Sequence, residues 1–223
     1  MRKPSSGIAC LILAAGGGSR LGGGKLLLPW RERPIIAHVA ATALQTPGFT
    51  SVTVVLGHEA GTVRDAVSSS LSVSSLPENS PSLRFAENAH WREGQSTSLR
   101  LGIETLLAGS DGNAVHAVLV LLGDQPLVTP RTLRALLEAH ERARNHDPDH
   151  PATAPFFQGR RGNPVILSRA MFPGVLALQG DVGARGLLAD LGERLLLVPV
   201  DDPGVLFDVD TREAYAALRD GRV

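Results

Sequence analysis

Apolar runs of strand length alternate with helix-like patterns along almost the whole chain, and this alternation limits the possible folds more than any other feature. It is the mark of crossover units on a mostly parallel sheet, since each helix must carry the chain back before the next strand can lie parallel to the last. Strands are expected at residues 8–13, 51–56, 83–85, 117–122, 152–154, 164–167 and 195–200. Several of these runs show no polar alternation, as strands covered on both faces require. Helices are expected at residues 35–44, 62–67, 97–107, 130–144, 183–191 and 211–218. The fourth helix opens with Thr129 as N-cap and Pro130 at its first position, and the last is capped by Asp210 or Thr211. Residues 68–82 are serine-rich and broken by proline, which reads as a surface loop, and residues 145–150 form a second, shorter loop. Neither loop flanks enough chain for a separate unit, and the 223 residues, 43% apolar, suit one α/β domain spanning residues 1–223.

Charge and cysteine content remove several classes of function. Lysine plus arginine (22) equals aspartate plus glutamate (22), so no bulk positive field would draw in nucleic acid or an anionic membrane. Phosphate binding would have to be local. No apolar stretch approaches the roughly 18 residues of a membrane span, and the N-terminal residues lack a cleavage pattern, so a cytoplasmic protein is expected. Cys10, the single cysteine, lies inside the first apolar run and reads as a small buried hydrophobe, which excludes a disulfide framework. The seven histidines show no zinc-binding spacing, and there is no nucleophile elbow for a serine hydrolase.

The stretch LAAGGGSRLGGGK, residues 13–25, follows the first strand directly. A dinucleotide cradle needs glycines at i, i+2 and i+5, and no frame starting from Gly16, Gly17, Gly18 or Gly22 supplies all three. An ATPase P-loop also fails, because Ser19 replaces its first glycine and Leu26 its magnesium-binding hydroxyl. What remains is a long strand-to-helix loop whose bare amides can approach anionic oxygens, with Arg20 and Lys25 placing positive charge at two points along a triphosphate. A flexible glycine-rich turn carrying two solvated cations is the plainer alternative.

Residues 13–30, LAAGGGSRLGGGKLLLPW, resemble the N-terminal motif L-A-A-G-x-S-x-R-x-G-x-x-K of the MobA-like nucleotidyltransferases, and KLLLPW resembles the molybdenum cofactor cytidylyltransferase branch. Gly18 stands where that family usually has serine. The resemblance spans nearly the whole chain in five ordered segments, and it implies a Rossmann-like nucleotidyltransferase fold with one antiparallel strand at residues 164–167. It also implies that Ala14, Ala15, Gly16, Gly17, Gly18, Arg20 and Lys25 contact the nucleotide.

Further segments carry candidate residues. In VLLGDQPLVTP, Gly123 and Asp124 follow a fully apolar strand, which puts the carboxylate at a carboxyl end of the sheet where open α/β folds bind ligands. A turn-capping aspartate is the alternative. The resemblance makes Gly123 a nucleotide contact and Asp124 a magnesium ligand at the triphosphate. In FDVDTREAY, Asp208 and Asp210 stand two residues apart, which in extended chain points both carboxylates to one side. Magnesium needs few carboxylates beside phosphate oxygens and water, so Asp124 with one of the pair would suffice, Asp208 being favoured as ligand and Asp210 as its support or a helix cap. The segment ENAHWREGQSTSLRLGI resembles the family's N-x-x-W-x-x-G-x-x-x-S, which implies nucleotide contacts for Asn88, Gly94 and Ser98; Trp91 reads as a packing anchor rather than a stacking platform. GRRGNPVILS and GDVGARGLL resemble acceptor-facing segments and point to Asn163, where histidine is usual, and Arg185. An ion pair between Arg185 and Asp181 competes with that role.

The resemblance implies a magnesium-dependent transfer of CMP from CTP to the phosphate of molybdenum-bearing molybdopterin, with release of pyrophosphate and with Arg20, Lys25 and Asp124 as catalytic groups. A molybdoenzyme receiving the product is the implied partner, with neither nucleic acid nor membrane involved. The residues after Leu13 read Ala14-Ala15-Gly16, where guanylyltransferases often have Ala-Gly-Gly, and this favours cytidine. Guanylyl or other nucleotidyl transfer, a non-catalytic cofactor carrier, and an oxidoreductase binding a nicotinamide cofactor are the alternatives.

Overall fold

A computed structural model describes residues 7–18, 23–71, 77–109, 112 and 114–222. In chain order the elements are β1 (Ile8–Ala14), β2 (Pro29–Trp30), β3 (Arg33–Pro34), α1 (Ile35–Gln45), β4 (Phe49–Leu56), α2 (Ala60–Ser70), β5 (Ser82–Glu87), α3 (Gln95–Ala108), β6 (Ala117–Leu122), α4 (Pro130–His146), β7 (Ala152–Phe157), β8 (Arg160–Arg161), β9 (Val165–Ser168), α5 (Phe172–Leu176), α6 (Arg185–Asp190), β10 (Leu195–Pro199) and α7 (Arg212–Arg219). The main sheet runs β10-β7-β9-β6-β1-β4-β5, with β8 paired to β7 and a small β2–β3 ladder outside it. β1 lies parallel to both β4 and β6. β9 is antiparallel to β6 and β7, as the expected strand at residues 164–167 requires, and β8 adds a short antiparallel arm.

Burial on both faces explains the unbroken apolar runs. Along β1, Ile8, Cys10, Ile12 and Ala14 join the core under α1, α2 and α4, while Ala9 and Leu11 join the core under α3 and α5. β6 divides in the same way, with Leu119 and Leu121 on one side and Val118 and Val120 on the other. Burial pushes the Cys10 thiol far above its usual range, which leaves it inert.

Element boundaries depart from the sequence expectations for identifiable reasons. α2 continues through Ser70, so residues 68–70 are helical rather than loop; Val63 and Val67 are buried four residues apart, and the Ser69 hydroxyl donates back to the Asp65 carbonyl at 2.7 Å. Residues 72–76 of the expected loop lie outside the described residues. β7 runs past Pro155, where a strand would be expected to stop. β9 pairs β7 only at Ala152 and Thr153, so no ladder bond from the proline nitrogen is needed on that side. α6 starts at Arg185 because the preceding residues pack against the start of α3. The two-residue strands β2 and β3 and the five-residue α5 are too short for periodicity to reveal. Both helix starts with clear chemistry form: Thr129 accepts from the Thr132 amide, and Thr211, rather than Asp210, caps α7 by accepting from the Ala214 amide.

A histidine cluster sits away from the strands' carboxyl ends. Buried Thr153 Oγ1 lies 3.0 Å from both His140 Nδ1 and His150 Nε2, and among the described residues His140 Nε2 has no hydrogen-bond partner. Burial first, and then the positive charges of His150, His116 and Arg144, push His140 down to about 3. Unfolded, its pKa is near 6.5, so the unfolded chain takes up the proton first. This contribution to stability is therefore complete above pH 6.5 and is lost as pH falls toward 3, by up to about 1.4 kcal/mol per pH unit. Thermal unfolding at pH 7 and pH 5 should show wild type losing more stability over this interval than His140→Leu. Equal losses in both proteins would refute this role.

Candidate active site

The carboxyl ends of β1 and β6 lie side by side, with Leu13 paired to Leu122 and the Gly123 amide donating to the Leu13 carbonyl at 2.9 Å. Both chains leave the sheet here, β1 into the glycine loop and β6 into the turn that carries Asp124. Two bonds shape the described part of the loop: Ala15 carbonyl accepts from the His58 amide at 3.1 Å, and Gly18 carbonyl accepts from the Gly23 amide at 3.2 Å. Gly18 has φ +62°, and a Cβ there would lie 2.9 Å from Lys25 Cγ. This residue, where the family usually has serine, therefore makes room for the lysine stem. Arg20 lies outside the described residues.

Lys25, in the 3₁₀ turn Lys25–Leu27, reaches back to the ends of β1 and β6. Its Nζ donates to Asp124 Oδ2 and, at 2.6 Å, to Asp210 Oδ1. Burial opposes the charged ammonium, yet Asp124 and Asp210 together hold the lysine above its ordinary value. The C-terminal segment is fixed to the Asp124 turn through the main chain, with the Val209 amide donating to the Asp124 carbonyl at 3.0 Å. Val209 is buried against Trp30, Ile35 and Leu218.

The aspartates flanking Val209 occupy different surroundings. Asp210 lines a cavity with Lys25 and Asp124, whereas Asp208 accepts from Gln125 Nε2 at 2.5 Å and forms no part of the cavity wall. Burial, followed by the negative charge of Asp124, raises Asp208 to about 6 against the opposing Gln125 bond. Among the described residues, the carboxylates of Asp124, Asp208 and Asp210 thus outnumber the Lys25 ammonium. Its oxygen-only donor set suits a hard divalent cation such as magnesium or manganese. Among the described residues no group of three or more His, Cys, Asp or Glu is placed to hold an ion unaided, so phosphate oxygens or water would have to complete the shell.

The cavity measures about 370 Å³ and brings together Ala14, Ala15, Gly16, Lys25, Gly94, Ser98, Asp124 and Asp210 from the sequence-derived set. Trp91, Gln95 and Asp181 also line it. Trp91 is both packed and accessible, its ring 5.2 Å from that of His58, and both rings lie against Gly17. Asn88 stands behind the wall: its Nδ2 donates to Thr97 Oγ1 and Ser98 Oγ at 2.8 and 2.9 Å, and its Oδ1 accepts from the His90 amide at 2.9 Å. Every polar atom of that amide thus orders the approach to α3.

Asp181 forms no ion pair with Arg185 among the described residues. It accepts instead from the Gln95 amide at 3.2 Å, while Ser96 donates through both its amide and its hydroxyl to the Gly180 carbonyl. The segment before α6 is thereby fastened to the first turn of α3. Arg185 and Asn163 lie outside the cavity wall, as do Gly17, Gly18 and Gly123. Arg185 sits near Arg161, whose guanidinium is held below its ordinary value by burial and then by Arg185's charge. Sequence reasoning missed His58, which lies along the glycine loop from the far end of β4, because a lone histidine after a strand carries no pattern.

A second cleft, about 660 Å³, lies between Pro29–Arg31 and α7, and among the described residues neither the glycine loop nor a carboxylate lines it. The smaller cavity is where cation, carboxylates and bare loop amides meet.

A mostly parallel sheet with a glycine-rich loop, a lysine and aspartates at its carboxyl ends defines a nucleotide-handling α/β protein. The MobA-like NTP transferase domain matches residues 10–201, and the chain belongs to that family, a nucleotidyltransferase family. Among its relatives, nicotine blue oxidoreductase of Paenarthrobacter nicotinovorans is 30% identical over 210 residues, covering 93% of this chain and 94% of that protein. The purine catabolism protein PucB of Bacillus subtilis is 31% identical over 218 residues, 94% of each. Among solved structures, Rv0371c of Mycobacterium tuberculosis superposes with a TM-score of 0.74 at 26% identity, covering 96% of this chain and 97% of that one, and it has also been solved in complex with manganese. No helix among the described residues is long and apolar enough to cross a membrane.

Proposed function

We propose that the protein transfers CMP from CTP to the phosphate of molybdenum-bearing molybdopterin. The observation that supports nucleotidyl transfer is the meeting of Lys25, Asp124 and Asp210 with Ala15 and Gly16 of the loop in one cavity, while the choice of CTP and molybdopterin rests on the resemblance of residues 13–30. An acceptor phosphate oxygen attacks the α-phosphorus, the bond from the α-phosphorus to the bridging oxygen breaks, and pyrophosphate leaves with that oxygen. Such chemistry depends on positioning and charge neutralisation, and no protein nucleophile is needed. Lys25 and Arg20 neutralise the triphosphate and the departing pyrophosphate, and the loop amides from Ala15 to Gly18 orient it. Asp124 with Asp210 would hold magnesium, with Asp208 behind them; bound there, the ion supplies neutralisation of phosphate charge. Manganese in the related Rv0371c supports a divalent ion. The end of the cavity formed by Trp91, Gly94 and Ser98 receives the nucleoside, and Asn163 and Arg185 meet the acceptor.

The test is pyrophosphate release with magnesium, molybdenum-loaded molybdopterin and each of CTP, GTP, ATP and UTP. Release with CTP alone is expected. A preference for GTP would overturn the argument from Ala14-Ala15-Gly16 and keep the mechanism, and silence with all four would end the transferase reading. The relationship to nicotine blue oxidoreductase favours a second reading, an oxidoreductase. The failed glycine register argues against a nicotinamide cofactor, and NADH or NADPH fluorescence should remain unchanged on titration with the protein.

A further inference from the structure

The contacts of Lys25 carry an inference about how a cation reaches the site, and it rests on the nucleotidyltransferase reading above. We propose that Lys25 is a tethered stand-in for the divalent cation: its ammonium holds Asp124 and Asp210 until a triphosphate draws it away, so that cation entry depends on nucleotide.

Three observations converge. The ammonium donates to one oxygen of each carboxylate, so it occupies the two residues that would hold the ion. The lysine side chain is only 12% exposed, so leaving the carboxylates without gaining another anionic partner would cost it free energy. Its stem lies against the glycine loop, with a Cβ on Gly18 falling 2.9 Å from Lys25 Cγ and 3.1 Å from Cδ. That contact keeps the lysine stem beside the loop amides that would orient the triphosphate. A dication and the ammonium cannot share Asp124 cheaply, since like charges at contact repel strongly in a partly buried site. A triphosphate removes the conflict by giving the ammonium a new partner at the loop while its own oxygens complete the cation's shell. Asp208 offers no other route, because its carboxylate is turned to Gln125.

The test uses Mn²⁺ alone as probe, with the free ion followed by electron paramagnetic resonance in the absence of nucleotide. Lys25→Met and Lys25→Gln remove the charge and keep most of the stem, and circular dichroism checks that each folds. Both variants should bind Mn²⁺ at least about tenfold more tightly than wild type, the size of an ordinary coupling between two ligands. Adding Asp124→Asn to Lys25→Met should abolish the gain. Equal or weaker binding by both single variants overturns the proposal. In wild type with EDTA present, saturating CTP should shift the ammonium nitrogen resonance of Lys25, assigned by its absence in Lys25→Met, and an unmoved resonance with CTP bound also overturns it. The Mn²⁺ titration needs no turnover, so failure of this proposal and failure of the transferase reading are separate results.

Discussion

Replacing Asp124 with asparagine is expected to lower pyrophosphate release by about 10³-fold, with little change in folding, because one preorganised charge at a phosphoryl centre is worth about that much. The two halves of the expectation rest on different atoms. The Asp124 main-chain carbonyl, which the substitution leaves in place, accepts from Val209 and so fastens the C-terminal segment to the β6 turn. Its carboxylate meets the Lys25 ammonium and faces the cavity. Asparagine keeps the shape and loses the charge, so Lys25 is left with Asp210 and a divalent cation loses a ligand. A thermal midpoint within a few degrees of wild type with turnover reduced about a thousandfold is the expected pair of results. Unchanged turnover would remove Asp124 from the chemistry, and a collapsed midpoint would make it structural.

Much of this site was legible in the sequence because its parts follow strands. Glycines after β1 and Gly123-Asp124 after β6 are dictated by where parallel strands end, and pairing of Leu13 with Leu122 then brings them together. The split between Asp208 and Asp210 was less legible. Two-residue spacing in extended chain should aim both carboxylates one way, but Gln125 captures one and Lys25 the other, and both partners come from distant parts of the chain. The role of Asn88 was hidden for a similar reason. Its amide reads as a ligand group in sequence and is spent on Thr97, Ser98 and His90 in the structure. Asp181 could be seen only as a partner for Arg185, since nothing in one dimension reveals that the first turn of α3 waits beside it.

The second large effect is expected at that junction. Gly94 precedes α3 with φ +115° and ψ 172°, a conformation essentially confined to glycine. A Cβ there would meet Gly180 C and O at 2.3 and 2.4 Å and the Asp181 amide nitrogen at 2.5 Å. Main-chain atoms cannot yield as a flexible side chain can, so Gly94→Ala must strain its own backbone and also push the 180–181 segment away from α3. Displacement would break the bonds from Ser96 to Gly180 and from Gln95 to Asp181, and with them one wall of the cavity. The cost should be about 3 kcal/mol or more, a fall of roughly 6–12 °C in thermal midpoint for a chain of this size, together with a higher KM for the triphosphate. Gly180→Ala separates the two causes. Gly180 also has positive φ, +68°, but apart from its chain neighbours no heavy atom of the described residues lies within 4 Å of its Cβ position, so only backbone strain of about 1 kcal/mol is expected. If both variants lose the same stability and keep the same KM, Gly94 serves backbone conformation alone; a loss confined to Gly94→Ala and accompanied by weakened nucleotide binding makes the close approach of the two segments a condition for the site.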